Sequence, residues 1–210
     1  MMRSSPITRA ESATLSPVAR TVVRPWNGVN SGLTELSTKA ESFFQRYGYP
    51  EWLVTHSRLV GAIAEALVAA RRRGARAIEA ESVVLAAYLH DVGRSPLVAG
   101  DRRDHNILSG LILAAEGLGD CVEPARRHAI YTVLEPALAP RTAEEKLVYV
   151  ADRRGGQTVE PLEVRAHDTA RRNPKYAAEI RRAIPLAKAL EQEVFSETSL
   201  APGDLAGMVR

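Results

Sequence analysis

The sequence predicts an all-α protein, on three observations. Ala, Leu, Val, Arg and Glu dominate while aromatic residues make up only 5% of the 210-residue chain, a bias toward helix over sheet. Apolar residues recur at helical spacing from Leu33 onward, in stretches separated by Gly and Pro. Alternating patterns of the kind a strand needs are nearly absent. With 45% hydrophobic residues the chain is long enough for one well-buried core, so a single compact helical domain is expected.

Each element has its own signals. Residues 1–33 mix Ser, Thr, Pro, Arg and Gly without apolar periodicity and read as a flexible N-terminal extension. A first helix runs from Leu33 to about Arg46 and stops at Tyr47-Gly48-Tyr49-Pro50. A long second one spans about 51–73, with Leu59, Ile63 and Leu67 on one stripe and Gly74 at its end. Its last turn would hold Arg71, Arg72 and Arg73, where the helix dipole favours cations. A third covers about 81–92 and stops at Gly93. Further helices are expected over about 104–117, 123–133, 143–153, 160–171 and 174–196, with Pro136, Pro140, Pro161, Pro174 and Pro202 in or near the breaks. Pro185 falls inside the last helix, where a kink is expected. The helical domain is set at 34–200, followed by a C-terminal tail over 201–210.

Composition narrows the function. The single Cys121 excludes a disulfide framework and a multi-cysteine zinc site, and suits a reducing compartment. No apolar run approaches the roughly 18–20 unbroken residues of a membrane helix, and the N-terminus lacks a secretory core, so a cytoplasmic protein without a membrane partner is expected. The formal charge of +3 is carried entirely by residues 1–33, through Arg3, Arg9, Arg20 and Arg24 against Glu11. The body is therefore formally neutral and gives little support to a nucleic-acid partner. A homodimer is left open.

The chemistry gathers around His90-Asp91, near the end of the apolar run VVLAAYLHDVGR. Ionisable groups in such a setting are costly unless paired or bound to a metal. His56 shares the buried stripe of the second helix with Val60 and Ile63. Downstream come His105 at the start of a helix, His128 on the short helix after it, and Asp152 after the apolar run LVYVA. Consecutive residues stand about 100° apart around a helix, so His90 and Asp91 can flank one helix–helix seam. Imidazole and carboxylate together suit iron, manganese, cobalt or zinc. Taken alone, His56 would be a hydrogen-bonded core histidine and His105 a surface residue at a helix start. The joint order of the set argues for one or two divalent transition-metal ions. A second pair, His167-Asp168, lies in the polar stretch VRAHDTARRNP and reads as solvated surface.

The series His56, His90-Asp91, His105, His128, Asp152 resembles the H…HD…H…H…D pattern of the HD-domain superfamily of metal-dependent phosphohydrolases, in its small HDIG-type form. LHDVGR resembles the family's LHDIGK or LHDIAR, with Arg94 where Lys or Arg is usual. EEKLVYVADRR is similar to the closing ADK/R segment, and PLEVR resembles the L-x-x-R element that often follows. The resemblance covers roughly residues 50–195, and its motifs specify the superfamily rather than a substrate. Three features depart from subgroups of it: Ala129 follows His128 where some two-metal relatives carry another His, the GYP signature of cyclic-dinucleotide phosphodiesterases is missing, and so are the synthetase features of alarmone enzymes.

The resemblance implies that His56, His90, Asp91 and Asp152 hold a first ion, and that Asp91 bridges to a second completed by His105 and His128. It implies an enzyme in which metal-activated water cleaves a phosphomonoester or phosphoanhydride of a small phosphorylated substrate, a nucleotide or similar metabolite. Dinucleoside polyphosphates are one plausible class. Arg94 and Arg153 are the expected phosphate-facing cations, with Arg102 and Arg103 next, and Asp91 joins them as a catalytic residue. Two other readings stay open: a di-iron oxygenase on the same fold, and a non-catalytic binding module stapled by metal.

Overall fold

The computed structural model describes residues 31–209. Among them the chain forms nine α-helices joined by loops and short 3₁₀ turns, and its only β pairings are two isolated bridges, Arg71 with Thr198 and Gly155 with Val159. The all-α expectation holds. The N-terminal extension falls almost wholly outside the described residues.

Helix α1 (Ser31–Arg46) ends as its sequence demands. Gly48 takes φ 59°, the left-handed conformation that glycine adopts without a Cβ penalty. The Tyr49 amide then donates back to the Phe44 carbonyl at 2.9 Å, and the Tyr49 ring stacks on Phe44 with centroids 4.7 Å apart. This closure aims the chain into α2 (Glu51–Ala69), which packs against α3 (Ala80–Leu89) and α6 (Ala143–Arg154). These three form the centre. Every residue of α3 from Val83 to Leu89 is buried, as are Leu53, Val60, Ile63 and Leu67 of α2 and the run Leu147–Asp152 of α6. Each such leucine or isoleucine contributes roughly 1.5–3 kcal/mol through burial.

Helices α4 (His105–Ala115) and α5 (Gly119–Arg126) pair with each other on one side of this centre. On another side α7 (Leu162–Arg172) and α8 (Ala177–Ser196) pair over a smaller apolar cluster that includes Ile130, Ala166, Ala170 and Ile180. Helix α8 continues through Pro185 from end to end.

Four expectations need correction. The second helix stops at Ala69, so Arg71 and Arg72 lie beyond its last turn and tie it to the end of α8, through Glu197 at 3.0 Å and the Thr198 carbonyl at 2.6 Å. The helix expected over 123–133 is displaced: α5 begins at Gly119 and ends at Arg126. Side chains close it, since Arg127 is drawn to Glu123 and Glu145, and Thr132 Oγ1 donates to the Arg127 and Ala129 carbonyls. The third helix ends at Leu89, one residue before His90. Finally, residues expected as a C-terminal tail fold through a 3₁₀ turn (Pro202–Asp204) into α9 (Leu205–Met208), with Leu205 and Val209 in the main core.

Candidate metal centre

Five segments deliver six donor residues to one buried place. His56 projects inward from α2, and Asp152 from the inner side of α6, whose start is fixed by a capping box between Thr142 and Glu145. His90 caps α3, and Asp91 follows with φ −102° and ψ 19°, outside the helix. That bend corrects the expected picture of two neighbours on one helical turn. It leads into the close passage of Gly93 against α4, where the Gly93 amide donates to Ser109 Oγ at 2.9 Å. His105 opens α4 as expected. His128 lies just beyond α5, in the link before the 3₁₀ turn Ile130–Leu134, rather than on a helix.

The donors fall into two adjoining cages that share Asp91. In the first, His56 Nε2 lies 3.2 Å from His90 Nε2, 3.3 Å from Asp152 Oδ1 and 3.6 Å from Asp91 Oδ2. His90 Nε2 is 3.7 Å from both carboxylates. In the second, His105 Nε2 and His128 Nε2 are 3.2 Å apart, and each lies 3.4 and 3.3 Å respectively from Asp91 Oδ1. Ligand bonds of about 2.1 Å to a transition metal place neighbouring donors roughly 3.0–3.4 Å apart. Both cages approach that spacing, and Asp91 turns one oxygen to each.

The outer ring nitrogens make the case stronger. His56 Nδ1 faces the Gly156 carbonyl at 3.2 Å, His90 Nδ1 the Ala87 carbonyl at 2.8 Å, and His128 Nδ1 the Ala125 carbonyl at 2.5 Å. A carbonyl can only accept, so in the neutral rings the proton sits on Nδ1 and a lone pair remains on Nε2. In that tautomer the His56 and His90 lone pairs face each other across 3.2 Å. A cation among them removes that repulsion, and the backbone carbonyls set the tautomer as they do at metal sites.

Electrostatics agree. Burial pushes His90 down to about 4 and His105 to about 3, keeping both rings neutral and ready to ligate. Burial alone would raise the Asp91 carboxyl, but Arg94, His90, His128 and His105 outweigh it and hold it well below the usual carboxylate range. Asp152 is likewise held low against burial, by Arg153 first and then by His56, His90 and His128. Two carboxylates and the His90 and His105 imidazoles are therefore available as oxygen and nitrogen donors, and with His56 and His128 beside them they make up a donor set suited to divalent transition metal.

The cages open into a cavity of about 670 Å³. Arg94 lines it, with Nε donating to Asp91 Oδ1 at 2.9 Å. Arg153 also lines it, but its guanidinium rests on Asp152 Oδ2 and over the Tyr149 ring. Arg102 and Arg103 lie elsewhere on the exposed loop, Arg103 paired with Asp101. The arginine that the site reading passed over is Arg165 of α7. It lines the cavity, donates from Nε to the Asp152 carbonyl at 3.3 Å and lies 3.8 Å from Asp152 Oδ1. Its signal was the PLEVR element, which carried no role on its own. The second HD pair divides: His167 is exposed, whereas half-buried Asp168 faces the cavity and pairs with Arg171 and Arg172.

Fold and site together define an all-α protein built around a buried imidazole–carboxylate centre fit for divalent metal. Residues 53–154 match the model of the HD domain, a span that contains every donor named above, so the chain carries an HD domain, the module typified by metal-dependent phosphohydrolases. No curated protein and no solved structure matches the chain.

Proposed function

We propose that this protein is a metal-dependent phosphohydrolase that cleaves a phosphomonoester or phosphoanhydride bond of a nucleotide or a similar small metabolite. The observation that carries the reading is the approach of His56 Nε2 to His90 Nε2 at 3.2 Å beside two carboxylates, an arrangement that a divalent cation would stabilise. Bound divalent ions would supply a Lewis acid for phosphate and a water of lowered pKa.

The chain's own residues do the rest. Asp91 is placed to be shared between the two cages. Arg153 holds Asp152 through its carboxylate and Arg165 does so through its carbonyl, so both position a ligand from behind. Arg94 and Arg165 supply positive charge at the cavity wall for the phosphoryl oxygens. The cavity falls within the roughly 300–1,000 Å³ range of small-molecule sites, far more than a phosphate alone requires. Its rim carries Trp52 and Tyr176, each 50% exposed, as flat surfaces for a ring system such as a nucleobase. A cytoplasmic setting fits the single buried thiol of Cys121.

The test is anaerobic turnover of a phosphoester panel by protein loaded separately with manganese, cobalt, iron and zinc, with Asp91→Asn beside it. Release of phosphate from a nucleotide by wild type and its loss in the variant support the proposal. No release with any metal overturns it, as does oxygen uptake without phosphate release in a parallel aerobic assay.

A further inference from the structure

The two cages differ in one respect: the second has a competitor within the chain. Arg94 Nε donates to Asp91 Oδ1 at 2.9 Å, and Arg94 Nη2 lies 2.9 Å from His105 Nε2. Those two atoms, with His128 Nε2, are the donors of the second cage. A carboxylate oxygen has lone pairs to share, but an imidazole Nε2 has one. His105 can accept from the guanidinium or bind an ion, and cannot do both. In the first cage the guanidinium contacts fall on Asp152 and not on an imidazole: Arg153 takes Oδ2, and Arg165 comes only to 3.8 Å of the Oδ1 that faces His56.

We infer that Arg94 is a built-in stand-in for the second ion, neutralising Asp91 Oδ1 and occupying His105 until a divalent cation displaces it. The inference rests on the metal reading of the site, and adds that the sites fill in order. The first ion meets preformed donors, while the second must break a charge-assisted pair. Displacement turns Arg94 from a ligand-holding group into a free guanidinium on the cavity wall, where its side chain is already 42% exposed. A phosphate group that engages Arg94 removes the competitor, so phosphate and the second ion bind with positive coupling, each tightening the other by the same factor.

The test titrates metal-free full-length protein with Mn²⁺ by calorimetry, and follows spin-coupled manganese pairs by electron paramagnetic resonance. Wild type is expected to bind in two steps, the second weaker. Arg94→Ala should tighten the second step by about tenfold or more, the scale of a hydrogen bond to a charged group, and the first, which meets Arg94 only through the far oxygen of Asp91, by less. Inorganic phosphate should tighten the second step in wild type and not in Arg94→Ala. Arg94→Lys keeps the charge without the two-pronged contact and should fall between, and it carries the comparison if the alanine variant fails to fold. If wild type takes up one ion only, a second ion gained by the variant supports the inference and its absence overturns it. An unchanged or weakened second step also overturns it. Ion uptake is read without substrate, so a failure of hydrolysis leaves this result standing, and the reverse.

Discussion

Gly93 passes so close to His105 that a Cβ on it would overlap the His105 carbonyl oxygen and crowd the Ser109 amide. The glycine is needed for this contact between the loop after Asp91 and the first turn of α4, more than for ending a helix. Gly93→Ala should therefore push His105 and Asp91 apart. The expected result is a loss of about 1–3 kcal/mol in stability, the usual scale of overpacking, with metal uptake falling toward one ion per chain. Thermal unfolding and elemental analysis read the two effects; an unchanged ion count would show that the second cage does not depend on this packing.

Asp91→Asn replaces the shared carboxylate by a neutral amide. Both cages lose a charged donor, so ion uptake should fall at both, and phosphoester turnover should drop by about a hundredfold or more. Steady-state kinetics at saturating metal is the measurement. Activity within a few-fold of wild type would remove Asp91 from its bridging place.

Arg165 acts on Asp152 from behind and on the cavity in front. Arg165→Ala should lower kcat/KM by about 10–100-fold, the range seen when a group supporting a ligand is removed, while Arg103→Ala on the exposed loop leaves it unchanged. Equal effects from the two variants would indicate a general charge contribution rather than a local one.

Acid should destabilise the metal-free protein, and the sign follows from the folded state. His90 is held down to about 4 and His105 to about 3 against an ordinary imidazole value near 6.5. Between those values and 6.5 the unfolded chain binds more protons than the folded one, so stability rises with pH across that window and is lost as pH falls through it. Asp91 and Asp152, held below the usual carboxylate range, extend the loss below pH 3.8. Chemical denaturation at pH 7, 6, 5 and 4 should give steadily lower midpoints. A flat profile from pH 7 to 4 would contradict buried neutral imidazoles.

Cys121 is buried and its sulfur lies 3.6 Å from the Ser82 carbonyl, and burial pushes its thiol up to about 11. At pH 8 the folded protein should react with iodoacetamide far more slowly than the same chain in denaturant. Mass spectrometry of the labelled fraction over time gives the comparison.

The donor set was legible because burying an imidazole or a carboxylate is costly, so placement beside VVLAAYLHD or LVYVAD already implied a partner. The helical fold was legible for a similar reason, since α2 and α6 carry strong apolar patterns bounded by Gly, Pro and cap residues. What escaped the sequence depended on distant contacts. The bend at Asp91 comes with Gly93 meeting α4, and the early end of α5 reflects Arg127 finding Glu145, sixteen and eighteen residues away respectively along the chain for Gly93–Ser109 and Arg127–Glu145. Helix α9 is too short for periodicity to register, and only its packing of Leu205 and Val209 reveals it. Arg165 looked like any cation on an amphipathic helix until the fold brought it to Asp152.

The donors enter the chain in the order His56, His90, Asp91, His105, His128, Asp152, so a ribosome must pass Asp152, nearly a hundred residues after His56, before the first cage can close. The helix that brings Asp152 is then clasped from still further on, by Arg154 reaching Glu191 and the Pro202 carbonyl. Metal capture thereby waits for segments far downstream of the first two histidines, and a chain not yet grown past Asp152 carries histidines without a finished trap to hold an ion.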